Sequence, residues 1–424
     1  MIICALIKLN INLNKSMSSV KTFIARQPIF DRKQNVIAYE LLFRHPFENS
    51  YDGSDPAKAT SRVILDNLML MDLDLLLGGK LAFINATRES LIENHMTLLP
   101  KEKTVVEIVE DIEPDDEVIS ACKRLKDAGY KLAIDDFCDQ ENLQPFLKLA
   151  DIIKVDFLQI EEEKTKKIIE KYSDGKIKFL AEKLETQDIY RKARSYGYHY
   201  FQGYYFSRPA ILTGRRIAGS RARYLDLLRG LSKQNFDIDK IELILKHDIS
   251  LSYRLLRYIN SAFFGLRQKI SSVRHALIML GEIELKKWIS VVALASLIED
   301  KPSELFVQSL IRAKFCELIA SFSNLSEYSD KAFLMGMFSL LDAMLNQPLP
   351  KLLLDLPIDE EIRNALMGQS NSLGKLLGCC MAYERGDWQE FEIISKELEF
   401  DFSVASDLYL NSVEWGQDSL VAIA

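Results

Sequence analysis

Acidic and amide residues close a succession of short apolar runs in the first half of this chain. Glu40 lies within Ala38-Tyr39-Glu40-Leu41-Leu42-Phe43-Arg44, and Asn85 follows Leu81-Ala82-Phe83-Ile84. Glu107 follows Thr104-Val105-Val106, and the pair Asp135-Asp136 follows Lys131-Leu132-Ala133-Ile134. Lys154 ends Asp151-Ile152-Ile153, Glu182 ends Lys178-Phe179-Leu180-Ala181, and Gln202 ends Tyr198-His199-Tyr200-Phe201. Hard oxygen donors of this kind suit a divalent cation once they converge. Glu40, Asn85, Glu107 and Asp135 offer a ligand set for one Mg²⁺ or Mn²⁺, and Asp136 stands beside them for a second ion. Two ions bridging a water would generate hydroxide near neutral pH and stabilise in-line displacement at a phosphodiester. Lys154 is suited to hold that water or to offset phosphoryl charge, and Glu182 to accept its proton.

Such residues converge only if the runs that carry them are strands of one closed sheet. Strands are expected at Phe23–Phe30, Val36–Phe43, Leu81–Asn85, Val105–Val109, Lys131–Asp135, Ile152–Asp156, Ile177–Glu182 and His199–Gln202. Ser61–Leu77, Asp116–Ala128, Lys164–Tyr172 and Asp188–Ser195 have apolar spacing near 3.6 and read as helices. The alternation predicts an α/β fold, a (β/α)8 TIM-like barrel with its polar site at one rim. A hairpin-like turn at Asp31-Arg32-Lys33-Gln34-Asn35 makes one of the first two strands antiparallel. After Pro209 helical periods take over, predicting an all-α second domain. The expected division is a tail or start artefact over 1–22, a barrel over 23–212 and a helical domain over 213–424. Met17 is the alternative translation start. The basic stretch Arg215–Tyr224 reads as a solvated linking helix.

At 424 residues the chain is too long for one ordinary core, and 48% hydrophobic with 27% charged residues describes a globular protein. A net charge of −7 speaks against general nucleic-acid binding. Six cysteines without metal spacing fit a reducing cytoplasm, and Cys379-Cys380 read as core thiols. The apolar start is too short to span a bilayer, and no other segment reads as a membrane span.

Glu40-Leu41-Leu42-Phe43-Arg44 resembles the signature of EAL domains, the cyclic-di-GMP phosphodiesterases. The likeness continues through Gln27-Pro28-Ile29, Glu107-Ile108-Val109-Glu110, Asp135-Asp136-Phe137, Lys154-Val155-Asp156 and Ala181-Glu182-Lys183-Leu184-Glu185, and closes on Gln202-Gly203-Tyr204-Tyr205-Phe206-Ser207-Arg208-Pro209. The resemblance implies a barrel that binds cyclic-di-GMP and, in active members, opens one phosphodiester to give pGpG. It implies Glu40, Asn85, Glu107 and Asp135 as metal ligands, Asp136 at a second ion, and Lys154 and Glu182 serving the attacking water. Glu185 and Gln202 would support the rim, and Arg44 would hold a ligand phosphate. Three departures stand out. Leu41 replaces alanine, on the side of the strand opposite Glu40. Cys138-Asp139-Gln140-Glu141-Asn142-Leu143 replaces a Gly-rich loop and is expected to lose access to positive φ. Lys183 stands where the family has Gly, and is expected to pair with Glu182 and weaken it as a base. These departures favour a weakly catalytic or non-catalytic barrel that binds cyclic-di-GMP or a protein. An active phosphodiesterase is the first alternative, and an interaction scaffold without nucleotide the second.

Asp248–Gly265 and Ile270–Gly281 resemble the HDOD domain, a helical relative of HD phosphohydrolases. Histidines are too few in this half for a hydrolytic HD metal site. The resemblance implies a protein partner through HDOD, and EAL domains make a homodimer plausible. Asn260-Ser261 is expected to end a helix and fix the turn that follows.

Overall fold

In the computed structural model, residues 23–44, 73–173, 175–203, 238, 241–242, 245, 249–260, 264, 269–297, 303–345, 347–355 and 358–423 are described. The expected tail over 1–22 and the basic stretch Arg215–Tyr224 lie outside them. So does most of the helix expected over Ser61–Leu77, of which Leu73–Leu77 is helical. Contacts divide the chain into two compact units. One carries the barrel together with Ala382–Trp388 and Ser403–Asp407, and the other carries the remaining helices.

The barrel is closed by eight strands in sequence order: β1 Phe23–Asp31, β2 Val36–Arg44, β3 Leu81–Ala86, β4 Thr104–Ile108, β5 Lys131–Ile134, β6 Ile152–Asp156, β7 Lys178–Glu182 and β8 Tyr200–Phe201. β1 runs antiparallel to both its neighbours, and the other ladders are parallel. The reversal is set by the turn at Asp31, whose carboxylate accepts the backbone N–H groups of Lys33 and Asn35, both at 2.8 Å. Parallel neighbours need crossovers, and helices supply them. Amphipathic α1 (Asp116–Asp127) starts at Asp115, whose side chain accepts from Val118 N at 2.9 Å. α2 (Glu162–Tyr172) follows β6, and α3 (Gln187–Tyr196) follows β7. α3 starts at Thr186, whose hydroxyl caps Ile189 N, and ends at Gly197 with φ 106°. Caps of this kind satisfy N–H groups that the helix itself leaves open.

Strand periodicity does the positioning. Ile29, Ala38, Phe83, Val105, Ala133, Ile152 and Leu180, one from each of β1–β7, form a buried cluster, with Tyr200 of β8 packed against it. Side chains two residues apart on a strand share a face. The same inward layer therefore continues, one step toward the mouth, as Glu40, Asn85, Glu107, Asp135, Lys154, Glu182 and Gln202. Leu41 falls on the outer face and is fully buried. The leucine in place of alanine thus packs beneath the surrounding elements, away from the mouth.

In the second unit every described element is helical. Asn260 follows the helix Ile249–Ile259 and closes the next turn with three hydrogen bonds, donating to Leu256 O and Ile270 O and accepting from Ile270 N, each at 2.7 Å. Gly281 breaks Val273–Leu297 with φ 69° and ψ 176°. Deep in this unit Glu317 is matched by two lysines, accepting from Lys314 Nζ at 2.7 Å and pairing with Lys287. Cys379 and Cys380 are fully buried. No helix among the described residues is long and apolar enough to cross a membrane.

Candidate active site

Lys154 organises the mouth of the barrel. Its side chain is 1% exposed, with Nζ 2.9 Å from Glu182 Oε1, 3.0 Å from Asp135 Oδ1 and 3.6 Å from Glu40 Oε2. It also pairs with Glu107, which is fully buried. One ammonium thus stands among four carboxylates, three on β2, β4 and β7 and one, Asp135, just past the end of β5. Gln202 ties the ring laterally, its Nε2 donating to Glu40 Oε2 at 2.8 Å and to Gln27 Oε1 at 3.0 Å.

Charge does not balance here, because four carboxylates face one lysine. Isolated buried charge is costly, so such a ring protonates or takes up cations. Burial pushes the Glu107 and Glu182 carboxyls well above the usual range, with Lys154 opposing the rise. Burial also pushes against the charge on Lys154, but the surrounding carboxylates outweigh it and raise its pKa. Asp135 is held below the usual range: burial opposes this, and Lys154 together with its hydrogen bonds prevails.

The donor set fits a divalent ion on two observations. Glu107 Oε2 is buried without a hydrogen-bond partner, an orphaned hard donor inside the ring. Ligand atoms of Asp135, Asp136 and Glu182 lie within 4.8 Å of one another. Asn85 pairs in register with Glu107 on the adjoining strand and is exposed at the mouth. A cavity of about 350 Å³ opens over this ring, with Asp136, Leu158, Glu185 and Gly203 along its wall. That size matches small-molecule sites. Arg44 ends β2 opposite Phe23, and its side chain lies outside the described residues.

Residues 77–209 match the EAL domain family and residues 221–351 the HDOD domain family. The chain is 35% identical over 404 residues to the uncharacterized protein YuxH of Bacillus subtilis (strain 168), covering 93% of this chain and 98% of that one. It is 34% identical over 400 residues to the cyclic di-GMP phosphodiesterase CdgJ of Vibrio cholerae serotype O1, covering 94% of this chain and 93% of that one. The chain belongs to the EAL–HDOD family. Among solved structures, an EAL domain protein from Listeria monocytogenes EGD-e is 23% identical, with a TM-score of 0.37, over 47% of this chain and 92% of that one.

Two departures of this EAL barrel take a form the sequence did not suggest. Lys183 turns away from Glu182, its Nζ lying 2.5 Å from Asp156 Oδ2 and 3.9 Å from Asp136 Oδ2. The Gly-poor loop after β5 keeps positive φ without glycine, at Asp136 (40°) and Asp139 (65°). Aspartate is among the residues that tolerate this region. Asp139 is pinned there by Lys171 Nζ at 2.8 Å and by the Tyr172 hydroxyl, both from the end of α2.

Sequence reasoning gave no role to Gln27 or Asp156, and it missed Arg385, which also lines the EAL cavity. Gln27 could have been found by counting backward from Ile29, because antiparallel β1 presents its earlier residues to the mouth. Arg385 belongs to Ala382–Trp388, the segment grouped with the barrel. There the Tyr383 hydroxyl donates to Ile24 O at 3.0 Å and Arg385 O accepts from Gln27 Nε2 at 3.3 Å. No strand or helix period in the sequence links these positions.

Gly203 lets the EAL rim close. Leu184 N donates to Gln202 O at 3.1 Å, and a Cβ at Gly203 would lie 2.2 Å from Leu184 N, with φ at 144°. Gly203→Ala must therefore part the segments that carry Glu182 and Gln202. The expected cost is about 1–3 kcal/mol, read as a lower denaturation midpoint. An unchanged midpoint would mean that the two segments are not locked together at this point.

Proposed function

We propose that the EAL barrel is a divalent-metal-dependent site that binds cyclic-di-GMP and hydrolyses one of its phosphodiester bonds to give linear pGpG. The observation that carries the reading is the ring of Glu40, Glu107, Asp135 and Glu182 around Lys154, with Glu107 Oε2 unpaired. Relationship to the cyclic di-GMP phosphodiesterase CdgJ over nearly the whole chain supports it. Two departures expected to oppose hydrolysis weigh less in this fold. Lys183 pairs with Asp156 rather than with the base, and the loop after Asp136 retains left-handed backbone.

In this reading Glu40, Asn85, Glu107 and Asp135 hold Mg²⁺ or Mn²⁺, with Asp136 on the side of a second ion. A bound divalent ion supplies charge stabilisation for phosphoryl oxygens and makes water more acidic. Glu182 takes the proton of the attacking water as the water oxygen bonds to phosphorus and the opposite P–O bond breaks, the departing sugar oxygen taking a proton from solvent. In the ion-free site burial raises the affinity of Glu182 for a proton above that of an exposed glutamate. Lys154 offsets the carboxylates' mutual repulsion and keeps them converged. Gln202 orients Glu40, Glu185 lines the ligand cavity, and Arg44 takes a ligand phosphate through its guanidinium fork. The barrel domain is assigned to 23–212 and the helical domain to 213–424, which in a cytoplasmic protein relays the state of the EAL site to a protein partner. Small-angle scattering with and without cyclic-di-GMP tests that relay, and identical profiles would remove it.

The function itself is tested by incubating the purified chain with cyclic-di-GMP, with and without Mn²⁺, while following pGpG by chromatography. Mn²⁺-dependent pGpG is the expected result. Binding without turnover would leave a sensor, and neither would leave an interaction protein.

A further inference from the structure

Lys183 has no part in the reaction proposed above, yet it is held firmly at the edge of the site. It occupies left-handed backbone, φ 52°, where a lysine is strained and glycine is not. Its partner Asp156 has a side chain only 1% exposed, and Asp156 Oδ1 accepts Leu158 N at 2.7 Å and Gln159 N at 3.2 Å. The carboxylate is therefore fixed, and its other oxygen holds the ammonium of the half-exposed lysine. From there Lys183 Nζ stands 3.9 Å from Asp136 Oδ2, and Asp136 is one of the residues whose ligand atoms gather with those of Asp135 and Glu182.

We propose that Lys183 is a built-in cation standing in for a second divalent ion at Asp136, so that the EAL site loads one ion tightly and a second only weakly. This rests on the metal-dependent reading above. A dication coordinated by Asp136 would share that carboxylate with an ammonium a few ångströms away, and like charges at such range repel strongly in a partly buried site. The lysine does not yield easily, because its departure would leave buried Asp156 without a cation. The residue thus decides how many ions the ring accepts, from a place on the wall of the cavity.

Direct ion counting tests the idea without reference to turnover. Metal-stripped full-length chain is titrated with Mn²⁺, with free Mn²⁺ followed by electron paramagnetic resonance, for wild type, Lys183→Met, Lys183→Gly and Lys183→Arg. Wild type and Lys183→Arg should bind one ion tightly. Lys183→Met and Lys183→Gly should bind a second at least about tenfold more tightly than wild type does. Glycine suits the left-handed backbone, so that variant keeps the test open should Lys183→Met unfold. Two tight ions in wild type would overturn the proposal, as would charge-removing variants that titrate like wild type. Absence of any bound ion in every protein would overturn the metal-dependent reading along with it.

Discussion

Replacing Glu182 with glutamine will cut pGpG formation by roughly 10²–10⁴-fold, the usual worth of a positioned general base. Glutamine keeps the shape and a hydrogen-bonding oxygen for Lys154, but it cannot take a proton from water. Cyclic-di-GMP should still bind, because the rest of the cavity is untouched. The same change removes one negative charge from a ring that carries too many, so the ion-free variant should melt no lower than wild type. That pairing separates a lost base from a damaged fold. Turnover within tenfold of wild type would take the base role from Glu182.

Lys154→Met should be the most destabilising single change at the site. It removes the one ammonium standing among Glu40, Glu107, Asp135 and Glu182. Breaking a buried ion pair by removing one partner costs about 3–5 kcal/mol. The loss should depend on pH with a definite sign. Burial raises Glu107 and Glu182 above the usual carboxylate range, and taking Lys154 away raises them further. Groups with raised folded-state pKa values favour the fold in their protonated form. Their contribution is complete below the ordinary glutamate pKa and is lost as pH climbs through the raised values. Urea melts should therefore show the deficit growing toward alkaline pH and shrinking on acidification. Mn²⁺ should restore part of it by replacing the missing positive charge. A variant as stable as wild type at alkaline pH would mean that the ring does not depend on this lysine.

Much of this site could be read before any coordinates, because a barrel strand converts sequence parity into direction. Glu40, Asn85, Glu107, Asp135, Lys154 and Glu182 each stand two residues beyond a member of the buried interior layer. Apolar runs ending in a donor announce that arrangement. Parity failed where strand direction changed. Gln27 precedes Ile29 instead of following it, since β1 is antiparallel. It also failed where backbone left the strand. Lys183 directly follows the last residue of β7 in left-handed conformation, and its side chain goes to Asp156 instead of Glu182. Strand ends shifted as well: β8 is Tyr200–Phe201, not His199–Gln202, and β5 stops at Ile134. The hydrogen bonds just past these ends still reach the neighbouring strands, Asp135 N donating to Ile108 O and Gln202 N to Ala181 O. Arg385 lies far along the chain, and only tertiary structure brings it to the cavity.

A ring of four carboxylates around one lysine should receive a divalent ion. Anomalous scattering at the manganese edge, from crystals of the chain grown with Mn²⁺, locates that ion directly. The account predicts a peak ligated by Glu40, Asn85, Glu107 and Asp135, with Glu107 Oε2 among the coordinating atoms. A peak only elsewhere on the protein, or none at saturating Mn²⁺, would contradict it.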